Sequence, residues 1–270
     1  FALHVLIVPR IIDWRPQMEE MVAKAWGVQV SIGEVNSVSD GWVPSFELHE
    51  FVIRDAQGQQ VLRLPVVRAS LTPASLLRMS LDRIELDGPE LDIERRADGS
   101  WRVGGVPITA EGGSDWADWL LSQPQLHIQH GRLRWVDGLN QQAPVAFSEV
   151  SLRMHNGLRS HDWRLDANPP SEWGQRISLQ GQFTQAFFNR RASDVSSWKG
   201  SVYAQMPQLS LAPMSGSLQA ISPMGQWLSG QGWARVWVDV DHGQWLNPTV
   251  DLALNDLHWQ SNDAKTQVEV

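Results

Sequence analysis

The stretch Ile84-Glu-Leu-Asp-Gly-Pro-Glu-Leu-Asp-Ile-Glu-Arg-Arg-Ala-Asp-Gly-Ser-Trp-Arg-Val103 decides the fold. Apolar and polar residues alternate along it, and successive side chains of a strand point to opposite faces. One face of this unit is therefore apolar and the other charged. The alternation breaks at Gly88-Pro89, and Asp98-Gly99 between two such runs is a strong signal for a hairpin turn.

The unit recurs along the chain at a fixed offset of 42 residues. The positions of Ile84, Leu86, Leu91 and Ile93 are taken there by Leu126, Ile128, Leu133 and Trp135. An earlier, shorter version runs through Phe46, Leu48, Phe51 and Ile53. The chain is therefore one amphipathic β motif used several times, with one apolar face throughout.

Composition excludes several classes of protein. A net charge of -8, from 22 Lys and Arg against 30 Asp and Glu, argues against a nucleic-acid binder. A mean hydropathy of -0.27 excludes a polytopic membrane protein. The absence of cysteine excludes a disulfide framework, a thiolate metal site and a cysteine nucleophile. The 15 Trp beside 1 Tyr indicate large apolar contacts.

The N-terminal segment holds two features of different period. Residues 1–8 are apolar but shorter than the roughly 20 residues that span a bilayer. They fit either the end of a membrane anchor or signal segment, or a buried first strand. Residues 14–26 then show helical spacing, with Asp13 as N-cap and Gly27 as stop, which predicts an amphipathic helix.

The remainder of the chain is read mainly as strands at hairpin spacing, with few helices. A short helix is predicted over 115–121, one helical turn over 73–79, and a further short helix ending near Trp227-Leu228. Strands are predicted around 64–71, 177–183, 198–203, 234–240 and 250–254. A second full hairpin is predicted over 125–147, and residues 150–165 show two weaker alternations. The protein is therefore predicted to be mainly β, and no shift in composition marks a domain boundary.

No residue pattern predicts chemistry. Phosphate-loop and nucleophile-elbow motifs are missing from the sequence. His127 and His130 should face opposite sides of a strand, and His155 and His161 are interpreted as surface histidines rather than metal ligands. Asp239 and Asp241, like the acidic residues of the main motif, are interpreted as the solvated side of a strand. We therefore expect no enzyme, no catalytic residue, no metal and no cofactor.

Two architectures fit the alternation. A β-sandwich would bury its apolar faces against each other. A long curved antiparallel sheet folded into a trough would instead leave a hydrophobic groove, and a large exposed apolar face marks a binding surface. Its natural guest would be an acyl chain, held at about 0.8 kcal/mol per buried methylene. The candidate lipid-binding residues are Ile84, Leu86, Leu91, Ile93, Trp101, Val103, Leu126, Ile128, Leu133, Trp135, Val236, Val238, Leu252 and Leu254.

Several phrases, in order along the chain, resemble the N-terminal part of the YhdP family of AsmA-like proteins, which are related to TamB. The phrases are Pro9-Arg-Ile-Ile-Asp-Trp-Arg-Pro16, Pro44-Ser-Phe-Glu-Leu-His-Glu-Phe-Val-Ile-Arg-Asp-Ala-Gln-Gly58, Leu86-Asp-Gly-Pro-Glu-Leu91, Asp98-Gly-Ser-Trp-Arg-Val103, Trp119-Leu-Leu-Ser-Gln-Pro124, Gly131-Arg-Leu-Arg-Trp135 and Trp198-Lys-Gly-Ser-Val-Tyr203.

The resemblance implies a single-pass inner-membrane protein of Gram-negative bacteria with its bulk in the periplasm. Residues 1–8 would end the transmembrane anchor, and residues 9–270 would be the N-terminal part of a longer β-groove domain. The resemblance further implies a bridge-like lipid-transfer protein, which carries phospholipid from the inner to the outer membrane. The implied partners are phospholipid, the inner membrane and proteins of either membrane, with no nucleic acid and no catalytic residues to transfer.

Two other functions stay open on the sequence. A Trp-rich carbohydrate-binding module or glycosidase would expose Trp on its polar faces, whereas Trp101 and Trp135 fall in register with aliphatic residues. A scaffold for assembly of the outer membrane would bind a protein partner and no lipid.

Overall fold

The protein is mainly β, as the sequence predicts. The computed structural model describes residues 15–26, 29–40, 43–54, 58–70, 72, 81–104, 106–108, 122–139, 143–185, 197–219, 225–261 and 267–269. The two helices described are α1 (Arg15–Trp26) and α2 (Leu211–Gln219). The strands are β1 (Gln29–Ser31), β2 (Glu34–Asp40), β3 (Val43–Arg54), β4 (Gln60–Ser70), β5 (Arg83–Asp87), β6 (Glu90–Arg95), β7 (Trp101–Val103), β8 (Val106–Ile108), β9 (Gln125–Asp137), β10 (Val145–Asn156), β11 (Ser160–Asn168), β12 (Ile177–Gln185), β13 (Trp198–Ser210), β14 (Gly225–Asp241), β15 (Gln244–Ser261) and β16 (Gln267–Glu269).

All of these strands belong to one sheet. From β9 to β16 each strand pairs antiparallel with the next one in the chain, as in a long meander. At the other end β3 pairs with β1, β2 and β4, and β4 pairs with β5 and with the start of β6. The strands of the described residues therefore form a single layer, and the sandwich alternative, which needs two facing sheets, is not what they build.

The 42-residue repeat turns out to be a parallel strand pair. Ile84 lies opposite Leu126, and Leu91 lies opposite Leu133, so the repeated units are side by side in the sheet. The expectation of a purely antiparallel sheet is therefore wrong at this place, where β9 runs parallel to both β5 and β6. The 16 residues between β8 and β9 are enough for the chain to return in the same direction, which a two-residue hairpin is not.

A row of irregular residues crosses the sheet, and we call it the crease: Gly33, Glu50, Pro65, Gly88-Pro89, His130 and Glu149. Glu50, His130 and Glu149 have positive φ angles of 51°, 52° and 48°. The ladder between β9 and β10 is shifted at the same level, and the Gly33 amide donates to the carbonyl of His49 at 3.0 Å.

The crease keeps one face of the sheet apolar from end to end. Leu86 and Leu91 are an odd number of residues apart, so strict alternation would place them on opposite faces. An irregular residue between them resets the alternation, and the same reset separates Ile128 from Leu133 and Leu48 from Phe51. We call the face that carries these residues the inner face, and the opposite, charged face the outer face.

Helix α1 lies at the N-terminal edge of the sheet. The Glu19 carboxylate accepts a hydrogen bond of 2.7 Å from the backbone amide of Ile32. The Arg15 guanidinium donates at 2.7 Å to the carbonyl of Gly33. These contacts satisfy backbone groups at the junction of β1 and β2, the strands at the edge beside β3, where open groups could pair with another chain. The predicted helix over 14–26 is thereby confirmed.

The core consists of separate clusters along the inner face. Ile32, Leu48 and Ile53 centre the first, and Ile84, Leu126 and Met154 the second. Phe183 with Trp198 and Leu209 with Leu211 centre the other two. Burial falls toward the C-terminal strands, where Val250 is 56% exposed and Leu252 51% exposed.

Some local predictions were wrong. The chain near Leu228 lies in the long strand β14 instead of ending a helix, and α2 comes earlier, at residues 211–219. The predicted hairpin over 125–147 is confirmed, because β9 pairs antiparallel with β10 from Val145 opposite Trp135 to Phe147 opposite Leu133. The predictions for residues 1–8, 73–79 and 115–121 lie outside the described residues. Within the described part of the chain, no helix has the length and apolar character to cross a membrane.

Leu126 and Leu252 offer a matched test of this single-layer core. Both lie on the inner face, but Leu126 is 2% exposed and Leu252 51% exposed. We expect Leu126→Ala to lower the free energy of unfolding by about 2–5 kcal/mol, because it opens a cavity in a packed cluster. Leu252→Ala should cost about 0.5 kcal/mol or less. Urea unfolding followed by circular dichroism measures both, and equal losses would contradict an inner face that is open at β15.

Candidate functional site

The inner face brings the first group of candidate residues together. Ile84 and Leu86 on β5 lie opposite Leu126 and Ile128 on β9. Beyond the crease, Leu91 and Ile93 on β6 lie opposite Leu133 and Trp135. Ile84 and Leu126 are buried, and the other six side chains are partly exposed.

Two more candidates extend this group at the end of β6. Val103 lies opposite Ile93, and the Trp101 ring lies 5.2 Å from the Trp135 ring, centroid to centroid. The Arg95 guanidinium lies 5.7 Å from the centroid of Trp101. Here the apolar surface ends in an aromatic pair that carries a cation, a contact of the cation–π type.

The last four candidates lie on the distant strands β14 and β15. Val236 faces Val250, and Leu252 faces Ala234. Leu254 packs beside Leu209 and Leu211. Trp245, which faces Val240 on this surface, is 67% exposed. These strands therefore present the most open part of the inner face.

Strands β10 to β13 connect the two groups with residues that sequence reasoning did not select, in rows that end at the candidates Val236 and Val238 on β14. Leu152, Leu165, Leu179, Ala204 and Val236 stand directly opposite one another, strand by strand. A second row runs through Met154, Trp163, Gly181, Val202 and Val238. The weak alternation of residues 150–165 was the available signal, but the pairing partners of these residues are far away in sequence.

Gly181 leaves room for the Trp163 ring to lie across the inner face. A Cβ atom at this position would come within 2.6 Å of the Trp163 ring. Trp163 packs against both the Met154 cluster and the Phe183 cluster. Because Gly181 has no side chain, the Trp163 ring can lie over β12 and join the two apolar clusters into one surface.

Helix α2 lies on one end of the inner face. Leu211, its first residue, packs with Leu209 and Ala234. A Cβ atom at Gly230 would approach the Leu211 Cδ1 atom to 2.9 Å, so glycine is needed for this close packing. The helix therefore covers the apolar surface at that end of β13 and β14.

A buried polar chain bounds the inner face at the opposite strand ends. The Leu81 backbone amide donates at 2.8 Å to the side-chain carbonyl of Gln123. The backbone carbonyl of Gln123 accepts a hydrogen bond of 2.8 Å from the side-chain amide of Asn156. The Asn156 Oδ1 atom lies 2.9 Å from Nδ1 of His161, which stacks on Trp198 at 4.5 Å. Sequence reasoning placed His161 on the surface, but it is 4% exposed, because strand β11 carries it onto the packed face.

Ion pairs between exposed side chains cover much of the outer face. Arg63 binds Glu50 at 2.9 Å, and Arg134 pairs with Asp92. Hydrogen bonding and charge from Asp92 raise the pKa of Arg134. Glu90 contacts both Arg63 and Arg132 at 3.5 Å. These carboxylates thus occupy the charged face that the sequence predicts, and exposed pairs of this kind add little stability.

The crease alters the prediction for the two histidines of β9. Strict alternation would put His127 and His130 on opposite faces. His130 has a positive φ angle of 52° and belongs to the crease, so strict alternation does not hold between the two residues. Its Nδ1 atom lies 2.8 Å from the Asp87 carboxylate, and that contact raises the pKa of His130. Among the described residues, no group of three or more His, Asp or Glu side chains could hold a metal ion.

Comparison with known proteins gives one match. A family model described as YhdP protein matches residues 1–270. Neither the curated proteins nor the solved structures contain a match to the chain.

The buried His161 predicts a pH-dependent stability. Burial lowers its pKa, so the folded protein keeps the ring neutral while the unfolded chain takes up a proton near pH 6.5. The contribution of His161 to stability should therefore fall as pH drops from 7.5 to 5.5, while His130, whose pKa is raised, contributes in the opposite sense. We expect His161→Phe, which keeps a ring against Trp198, to shift the pH dependence of the urea midpoint toward greater stability at low pH.

The exposed His155 provides the control for this measurement. His155→Phe should leave the pH dependence of the urea midpoint as it is in the unsubstituted chain. If His161→Phe and His155→Phe shared the full pH dependence of the parent, burial of His161 would not be its origin.

Proposed function

The chain belongs to the YhdP family, and from this premise we propose that its inner face is a hydrophobic groove that conducts the acyl chains of phospholipids. The observation that carries the proposal is the continuity of apolar residues across the strands. Rows on the inner face run from β5 through β9 to β15 without interruption by a charged residue. At about 4.8 Å between strands, these rows extend for roughly 34 Å.

The exposed apolar side chains of this face suit a lipid guest. Side chains of Trp245, Val250 and Leu252 remain 51–67% exposed on this face, which is unusual for large apolar residues that lie side by side. Each methylene that such a surface removes from water contributes about 0.8 kcal/mol. Because this attraction has no preferred direction, an acyl chain could shift along the rows without breaking a specific contact.

The charged outer face complements this function. Its ion pairs keep the opposite side of the sheet in water, so the same strands can hold lipid on one side only. In this proposal the protein is not an enzyme: it moves phospholipid from the inner membrane, where an N-terminal segment anchors it, through the periplasm toward the outer membrane. Proteins of either membrane would be its partners.

Site-specific photocrosslinking in the native membrane tests the face that contacts lipid. A probe at Leu91 lies on the inner face, and a probe at Asp92 lies on the outer face beside Arg134. We expect a phospholipid adduct at Leu91 and none at Asp92. Equal labelling of the two positions, or none at either, would count against a lipid groove.

A charge on the exposed part of the groove should expel lipid without unfolding the sheet. We expect Leu252→Asp to reduce co-purified phospholipid severalfold, because the carboxylate is costly to desolvate beside an acyl chain. Thr249→Asp adds the same charge to the same strand on the outer face, opposite Trp237, and should leave the lipid content unchanged. Mass spectrometry of extracted lipid measures both. Equal lipid in both variants and the parent, with folding intact, would refute the role of this surface.

A further inference from the structure

The outer face of β13 to β15 differs in chemistry from the rest of that face. The Lys199–Asp241 ion pair at 3.3 Å lies here, as ion pairs do elsewhere on the outer face, but two tryptophans of β14 also point outward, Trp233 at 38% and Trp237 at 39% exposure. The inward-facing residues Ala234, Val236 and Val238 alternate with them. These tryptophans are therefore not part of the apolar inner face.

Polar side chains fill the space between the two rings. Tyr203 lies opposite Trp237, with 5.1 Å between their ring centroids. Gln205 lies opposite Arg235, which in turn faces Asp251 on β15. The Tyr203 hydroxyl donates to the Gln205 side chain at 3.1 Å, and the Arg235 guanidinium lies 5.1 Å from the Trp233 ring.

A depression of about 210 Å³ lies at one end of this row. It is lined by Gln205, Met206, Pro207, Trp233, Ala234 and Arg235. The depression arises because the ladder between β13 and β14 shifts between Met206 and Leu209. A bulge of this kind spreads two strands and re-aims the side chains beside it. We call Tyr203, Gln205, Trp233, Arg235, Trp237 and Asp251 the aromatic platform.

We propose that the aromatic platform binds a glycan chain. Trp233 and Trp237 are four residues apart on one strand, which places them about 13 Å from each other. A short oligosaccharide spans that distance. The apolar faces of its sugar rings would lie on the indoles, and its hydroxyls would hydrogen-bond to Gln205, Arg235 and Asp251 between them. This site is separate from the proposed groove, since it is on the other face of the same strands.

Other ligands fit the platform less well. Asp239 and Asp251 share the outer face with the rings, and these carboxylates would repel the phosphates of nucleic acid or of an anionic membrane. The chain as a whole also has a net charge of -8. A partner with flat apolar faces and many neutral hydroxyls matches both the exposed indoles and the polar groups between them.

The β14–β15 hairpin supplies a matched experiment, because it exposes one set of tryptophans on each face. Cellotetraose, chitotetraose and maltotetraose, all uncharged, serve as probes, with binding measured by isothermal titration calorimetry on the full chain. We expect at least one probe to bind, and both Trp233→Ala and Trp237→Ala to weaken it by about tenfold or more, since exposed aromatic anchors dominate such contacts. Trp245→Ala, on the inner face at 67% exposure, should leave glycan affinity unchanged.

Three outcomes would overturn the inference. These are no binding of any of the three probes, equal loss of affinity in Trp245→Ala and Trp237→Ala, or binding that survives both platform variants. Retention of the chain on anionic vesicles that is lost in Trp237→Ala, without glycan binding, would assign the platform to a membrane surface instead. Circular dichroism spectra that match the parent show that each variant is folded.

Discussion

The alternation of side chains across a strand is the constraint on which this structure depends. Every strand that crosses the sheet must keep its apolar residues on one side, and a shift by a single residue would turn them toward water. The crease meets this constraint in the middle of the sheet, because irregular residues at one level reset the alternation in strand after strand. His130 and Glu149 accept a positive φ angle there, which non-glycine residues rarely adopt.

The single layer determines where stability comes from. Burial is deepest around Ile84, Leu126 and Ile53, where apolar side chains of the neighbouring strands pack against them. The outer ion pairs are solvent-exposed and add little, so the inner clusters supply most of the stabilising free energy. Toward β15 the enclosure weakens, and large apolar side chains such as Val250 remain open. The same face is therefore a core at one end and an accessible surface at the other.

The two faces of the C-terminal strands carry different chemistry on one backbone. Inward positions of β14 hold small aliphatic residues, while outward positions hold Trp233, Arg235 and Trp237. Since neighbouring residues of a strand point in opposite directions, each face can be changed without altering the other. A lipid surface and a polar recognition surface can in this way coexist within a few residues.

Alternation and phrase order are local signals, so the β class, the amphipathic helix at 14–26, the faces of the main motif and membership of the YhdP family follow from the sequence alone. Which strands are neighbours depends on long-range pairing and is known only from the folded chain. The 42-residue repeat is visible in sequence, yet its meaning as a parallel pair of Ile84 with Leu126 depends on a long-range connection. The burial of His161 and the outward direction of Trp237 likewise follow from partners distant in sequence, since a strand pattern gives the alternation of faces but not what covers either one.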